Sequence, residues 1–143
     1  MRTTANPPAL PEEASGRKNA SWFEQLLSEV NSDPEMDLIG GNLTATVSFT
    51  FGSDRHDLVF QRGKVVDLRH GKKIDWRCDF GFRASDETWD KFFADPPPPL
   101  YNSVFAMIMR VPDFQLEGDS MVLAQNARAV TRLLDIMQEQ GRL

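Results

Sequence analysis

One cysteine, Cys78, occurs in 143 residues, so no internal disulfide can staple the fold. Histidine is almost as scarce, with only His56 and His70. Without paired cysteines or a His-x-x-x-His spacing, the ligand sets of zinc sites cannot be assembled. Neither Gly-x-Ser-x-Gly nor a glycine-rich phosphate loop before a helix appears, which removes the acyl-transfer and nucleotide-binding templates. Base is also in short supply. Sixteen Lys and Arg are scattered among twenty-one Asp and Glu, for a net charge of −5. A nucleic-acid binder needs a basic stripe, and none is present. No apolar run reaches the roughly eighteen residues that a membrane span requires. The N-terminus, MRTTANPPALPEEASGRKNA, lacks the apolar core of a secretory signal. The expectation is a cytoplasmic protein with no cofactor, no metal, no nucleic-acid partner and no transmembrane segment.

What is present centres on residues 43–51, LTATVSFTF. In a strand, side chains alternate between faces, so Leu43, Ala45, Val47, Phe49 and Phe51 share one side and Thr44, Thr46, Ser48 and Thr50 the other. That pattern describes a sheet with one apolar face and one wet, hydroxyl-lined face. Residues 1–20 carry prolines and acids without apolar periodicity and read as a disordered tail, leaving 21–143 as one domain. Ser21 with Glu24 forms a capping-box signal, followed by Trp22, Phe23, Leu26, Leu27 and Val30 at helical spacing. Asn31-Ser32-Asp33-Pro34 stops that helix. Met36, Leu38 and Ile39 are expected in the core before Gly40-Gly41 turns the chain into the first strand.

Strands are then predicted at 56–61 and 65–69, joined through Arg62-Gly63-Lys64. A fourth alternates Ile74, Trp76, Cys78, Phe80 and Phe82 with Asp75, Arg77, Asp79, Gly81 and Arg83. Ser85 caps a helix bearing Trp89, Phe92 and Phe93, with Asp86 and Glu87 at the positive end of its dipole. Four prolines at 96–99 enforce a stiff connector. Residues 100–110, LYNSVFAMIMR, are helical in period and apolar on nearly every side, so this helix is expected to be buried on every side or to face a cavity or a membrane. Residues 114–116 read as a fifth strand. A last helix over about 120–140 aligns Leu123, Ala127, Val130, Leu134 and Met137.

Cys78, on the inward parity between Trp76 and Phe80, reads as a small inert hydrophobe. Asp75, Arg77, Asp79 and Arg83 read as a solvated face. The aromatic residues and Met107, Met109, Met121 and Met137 are predicted to point inward, either as plain core or around a ligand. The residues by themselves describe an α+β domain with a one-sided sheet and a large apolar interior.

The order of these elements resembles the sterol carrier protein 2 (SCP-2-like) sterol-binding domain. The matching pieces are VSFTFG, FQRGKV, FRASDETWDKFFAD and FQLEGDSMVLAQN, over about residues 21–140. The resemblance implies a five-stranded, mainly antiparallel sheet covered on one face by about four to five helices, enclosing an apolar tunnel for a sterol, fatty acid or acyl-CoA. It implies neither catalysis nor a cofactor. The prolines at 96–99 and the bulky 100–110 helix replace a shorter, glycine-containing link in the family. The lining expected here is Phe23, Leu27, Val47, Phe49, Phe60, Trp89, Phe93, Phe105, Ile108, Met109, Met121, Val130 and Leu134. A second reading is an interaction module, in which the 100–110 helix docks on a second copy or on a lipid-metabolising enzyme. A third, a small enzyme, would need a buried acid or base, for which only Asp57, Asp67, His56 and His70 are candidates.

Overall fold

In a computed structural model, the residues described are 19–70 and 78–141. The predicted N-terminal tail falls almost wholly outside them, as do Ile74, Asp75, Trp76 and Arg77. Helices α1 (Ala20–Ser32) and α2 (Pro34–Ile39) lead into a hairpin pair, β1 (Ala45–Phe51), β2 (Asp54–Gln61) and β3 (Lys64–His70). There follow β4 (Phe80–Ala84), α3 (Asp86–Phe92), α4 (Val104–Arg110), β5 (Gln115–Gly118), α5 (Ser120–Gln125) and α6 (Ala127–Gly141). The five strands form one sheet in the order β3-β2-β1-β4-β5. All neighbours are antiparallel except β1 and β4, which run parallel. The fold is therefore α+β, with a five-stranded mixed sheet and six helices among the described residues.

Turn chemistry sets the register. Arg62 and Gly63 both have positive φ, 51° and 81°, as a two-residue hairpin loop between β2 and β3 needs. Glycine is required at 63 for a second reason, since a Cβ there would stand 2.5 Å from the carbonyl oxygen of Gly40. A bulge at Val59/Phe60 shifts the β2–β3 register and leaves Val66 exposed. Register then places Val47 beside Leu58 and Phe80, and Phe49 beside His56 and Phe82. These side chains form the apolar face on which the helices pack, and Leu58, Phe80 and Phe82 are fully buried there.

Several local expectations are corrected. Helix α1 starts two residues earlier than the capping-box signal predicts: Asn19, whose Oδ1 accepts from the Trp22 amide at 3.1 Å, is the cap in place of Ser21. Met36 is buried as expected, but Leu38 is 83% exposed because the short α2 turns only one face inward. The hydroxyl-lined face is not uniformly wet. Ser48 and Thr50 are buried, since β1 is the central strand and its short side chains stand between longer neighbours, Thr50 between Arg55 and Arg83. Among the described residues the fourth strand begins only at Phe80. Asp79 forms a bend there, its carboxylate accepting from the Thr46 amide and its own amide donating to the Thr46 carbonyl.

Cys78 accordingly leaves the strand parity. It is half-buried, and the charges that act on it are those of Arg55, Asp57, Glu117 and Asp79. The 100–110 helix is regular only from Val104, where Ser103 caps it. The last helix is two helices broken at Asn126, whose side-chain amide donates to the Val122 carbonyl.

Candidate functional site

The apolar face of the sheet and the helices above it enclose one continuous cluster. Phe51 lies at its aromatic centre, with ring centroids 4.6 Å from Trp89, 5.8 Å from Phe23 and 6.2 Å from Phe93. Phe49 touches both Phe82 at 5.6 Å and Trp89 at 6.3 Å. Edge-to-face contacts of this kind add to plain burial. The Trp89 indole N–H, which would be costly to bury unpaired, donates to the Thr50 carbonyl at 2.9 Å.

The thirteen residues expected to line a site fall into three groups. Phe23, Val47, Phe49, Phe60, Trp89, Val130 and Leu134 are buried in this cluster. Leu27, Phe93, Phe105 and Ile108 are half-buried and pack against it as a rim. Met109 and Met121 are excluded. They are 80% and 62% exposed, because each sits on the solvent side of a short helix whose inward positions are taken by Met107 and Leu123. Phe23, Val47, Phe49 and Val130 show no exposed surface at all, so no open channel runs past them in this conformation. A ligand held among these residues has to displace part of the rim.

The rim is least firmly packed at α4. Helix α4 is seven residues long and buries only Val104 and Met107. Its fixed points lie beyond its two ends. On one side the Gln138 side-chain amide donates to the carbonyls of Phe92 and Tyr101, both at 2.8 Å, closing the proline connector like a clasp. On the other, the Asp113 carboxylate accepts from the Ser85 amide at 2.9 Å, the Ser85 hydroxyl at 2.7 Å and the Thr88 hydroxyl at 2.6 Å. Those hydroxyl bonds hold the Asp113 carboxyl below the usual carboxylate range. Sequence reasoning missed both clasps: a lone Gln or Asp at helix or loop spacing has no pattern that announces a distant carbonyl or hydroxyl.

Helix α6, in contrast, is pinned along its length. Arg132 forks Asp33 with bonds of 2.6 and 3.0 Å, and Asp33 at the same time caps α2 through the Met36 amide at 2.7 Å. The Arg132 hydrogen bonds lower the Asp33 pKa. A groove of about 500 Å3 between α1 and α6 has polar walls, including Gln25, Glu29, Arg132 and Glu139, and lies outside the apolar interior.

Of the candidate acids and bases, Asp57 is fully buried on the opposite sheet face, where Arg55 forks it at 2.8 and 3.0 Å, and Asp67 is exposed. Burial raises the Cys78 pKa, which keeps its thiol protonated and poorly nucleophilic. Arg83 pairs across the sheet with Glu117 at 2.8 Å. Among the described residues no three His, Cys, Asp or Glu side chains gather to hold a metal ion. No described helix is long and apolar enough to cross a membrane.

Comparison with known proteins places this architecture. No family model matches the sequence, and no curated protein matches it. Solved structures do. The crystal structure of sterol carrier protein 2 superposes with a TM-score of 0.69 at 15% identity, covering 85% of this chain and 96% of that one. The fold is SCP-2-like. A conserved protein from Thermus thermophilus, described as possibly a sterol carrier protein, gives 0.68 at 16% identity over 85% of this chain and 87% of its own. A UbiJ-SCP2 ubiquinone synthesis protein gives 0.53 at 14% identity over 82% of this chain and 92% of its own. The α+β class, the five strands and the resemblance read from the sequence stand.

Proposed function

We propose that this chain is a non-catalytic carrier that binds a hydrophobic ligand, such as a sterol, fatty acid or acyl-CoA, between the apolar sheet face and its helices. One observation carries the reading: a single apolar interior is closed on one side by a short helix, α4, that is clasped beyond both ends and lightly packed in between. The SCP-2-like fold supports it, since neighbours of this fold include sterol carrier protein 2. Burial supplies the affinity. Each Å2 of apolar surface removed from water stabilises by roughly 25 cal/mol, so an acyl chain needs few polar contacts. Binding requires no cofactor and no reacting group.

Native mass spectrometry of the purified protein, followed by solvent extraction, tests the proposal directly. A stoichiometric lipid in the extract supports it. A clean ligand-free mass, with no uptake of a fluorescent fatty acid or sterol, sinks it. Phe105→Asp puts a charge into the α4 rim and should abolish uptake, whereas Arg128→Ala on exposed α6 surface should leave it intact. Equal uptake by the two variants would remove α4 from the site.

A second reading rests on the exposed side chains of Met109 and Met121 and on a fold neighbour that is a ubiquinone synthesis protein. Here the 104–110 surface docks on a lipid-metabolising enzyme or a second copy, and the interior is a vestigial pocket that holds no ligand. Mass that rises with concentration, together with no extractable lipid, favours that reading over the carrier.

A further inference from the structure

His56 and His70 take no part in the interior described so far. They face each other in register across β2 and β3, and parity puts both on the apolar side of the sheet with Leu58 and Phe60. Their Nδ1 atoms are 2.7 Å apart. At that distance one imidazole donates from Nδ1 and the other accepts, and each ring keeps its Nε2 for another partner. Phe23, in the first turn of α1, stacks on His56 with centroids 4.4 Å apart and planes at 22°. His56 is buried and His70 half-buried, so the pair stands at the border of the interior and not at its middle.

Among the described residues no carboxylate is hydrogen-bonded to this pair. Burial first, and the neighbouring His70 second, lower the His56 pKa to about 4, and burial lowers that of His70 as well. The acids that act on the pair are Glu24 on α1 and Asp57 on β2. Asp57 is on the far side of the sheet and already forked by Arg55, and Glu24 is exposed to water. The first turn of the thirteen-residue α1 contains no acidic residue, so the positive end of its dipole is not offset there. A protonatable pair thus lies against the first turn of α1, through Phe23, at one border of an apolar interior.

We infer that the His56–His70 pair receives the carboxylate of a long-chain monocarboxylic acid, and that one proton is taken up from solvent when the acid binds. The acid arrives as its anion. The incoming proton adds to the bare Nε2 of His70, the more exposed ring, the proton that His70 donates from Nδ1 to His56 stays in place, and the new Nε2–H then donates to a carboxylate oxygen. No covalent bond other than that N–H is made or broken. Because the chain of such an acid must lie in the apolar interior, the inference rests on the carrier reading, and the test has to separate the two.

Isothermal titration of the full chain with dodecanoate and with 1-dodecanol, in buffers of different ionisation enthalpy, provides that separation. Uptake of one proton with dodecanoate, and of none with dodecanol, is expected. Dodecanoate affinity should then fall by up to about tenfold per pH unit above neutrality, while dodecanol affinity stays flat. His70→Gln keeps a neutral hydrogen-bonding side chain but cannot take the proton, so it should flatten the slope of dodecanoate affinity against pH, which is read separately from the affinity itself. The 15N resonances of the imidazoles in the unaltered protein give the same information without a variant, and should move to protonated values on adding dodecanoate. Dodecanoate binding with unmoved ring nitrogens, or proton uptake that persists in His70→Gln, overturns the inference and spares the carrier. Binding of neither probe overturns both.

Discussion

Helices α6 and α4 both carry more apolar side chains than a surface helix needs, and both contribute to the same core, yet the structure holds them in different ways. α6 buries Leu133 and Met137 completely and is tied along its length: Arg132 to Asp33, Gln138 to the carbonyls of Phe92 and Tyr101, and Gln140 to the Trp22 carbonyl. α4 buries Val104 and Met107, leaves Phe105 and Ile108 half-buried and Met109 in water, and is fixed only beyond its ends. Apolar burial sets which elements meet the core. Polar tethers, which are directional and break all at once, set which of them can leave it. An element with both is a wall, and one with burial alone is a lid.

Truncating the wall should have the largest consequence. Leu133→Ala removes a fully buried side chain from a helix that has no freedom to collapse into the gap, and should cost about 3 kcal/mol. Urea denaturation at neutral pH measures it, and a loss below about 1 kcal/mol would mean that α6 is held less firmly than its tethers imply. Removing a tether should come next. Asp33→Ala takes away the α2 cap and the main partner of Arg132 in one change, and should cost about 2 kcal/mol. The sign with pH follows from the lowered Asp33 pKa. The contribution is complete above the unfolded carboxylate pKa of about 4 and disappears as pH falls through the lower folded value, so the gap between Asp33→Ala and the parent chain should close in acid. A constant gap would mean that neither the Arg132 pair nor the cap draws on the carboxylate charge. The smallest effect belongs to the lid. Met109→Gln on its exposed side should change stability by less than about 0.5 kcal/mol and leave ligand uptake as it was. Lost uptake would show that α4 turns this side inward when loaded.

Much of this architecture was legible in the sequence because it rests on period and turn chemistry. The alternation in 45–51, the Arg62-Gly63 loop and the Ser85 cap each state a local preference that the fold obeys. Two kinds of feature were not legible. One is the ends of elements: the bend at Asp79 and the break at Asn126 are made by hydrogen bonds to Thr46 and Val122 that periodicity does not encode. The other is pairing over long separations, as in Arg132 with Asp33 or Thr88 with Asp113, where neither partner has a distinctive neighbourhood. For the candidate site, aromatic parity located Phe49, Phe60 and Trp89 in the core, but an all-round apolar helix could not say which of its methionines would face water. Strand parity did put His56 on the same side as Leu58, while its hydrogen bond to His70 depended on a register that only the bulge determines.

That bulge has a consequence for the protein in solution. β3 lies at one margin of the sheet, and a long flat strand in that position can recruit strands from other molecules and start a fibre. Here Val66, the extra residue opposite Val59/Phe60, kinks the pairing, and Lys64, Asp67 and Arg69 stud the strand with charge of both signs. At the opposite margin β5 is only four residues long, carries Glu117 and ends at Gly118 with φ of 85°. On the carrier reading proposed above, the interior opens to admit its ligand, and strand pairing with other molecules is the greatest risk at that moment. Margins blunted in this way resist such pairing in either position of α4.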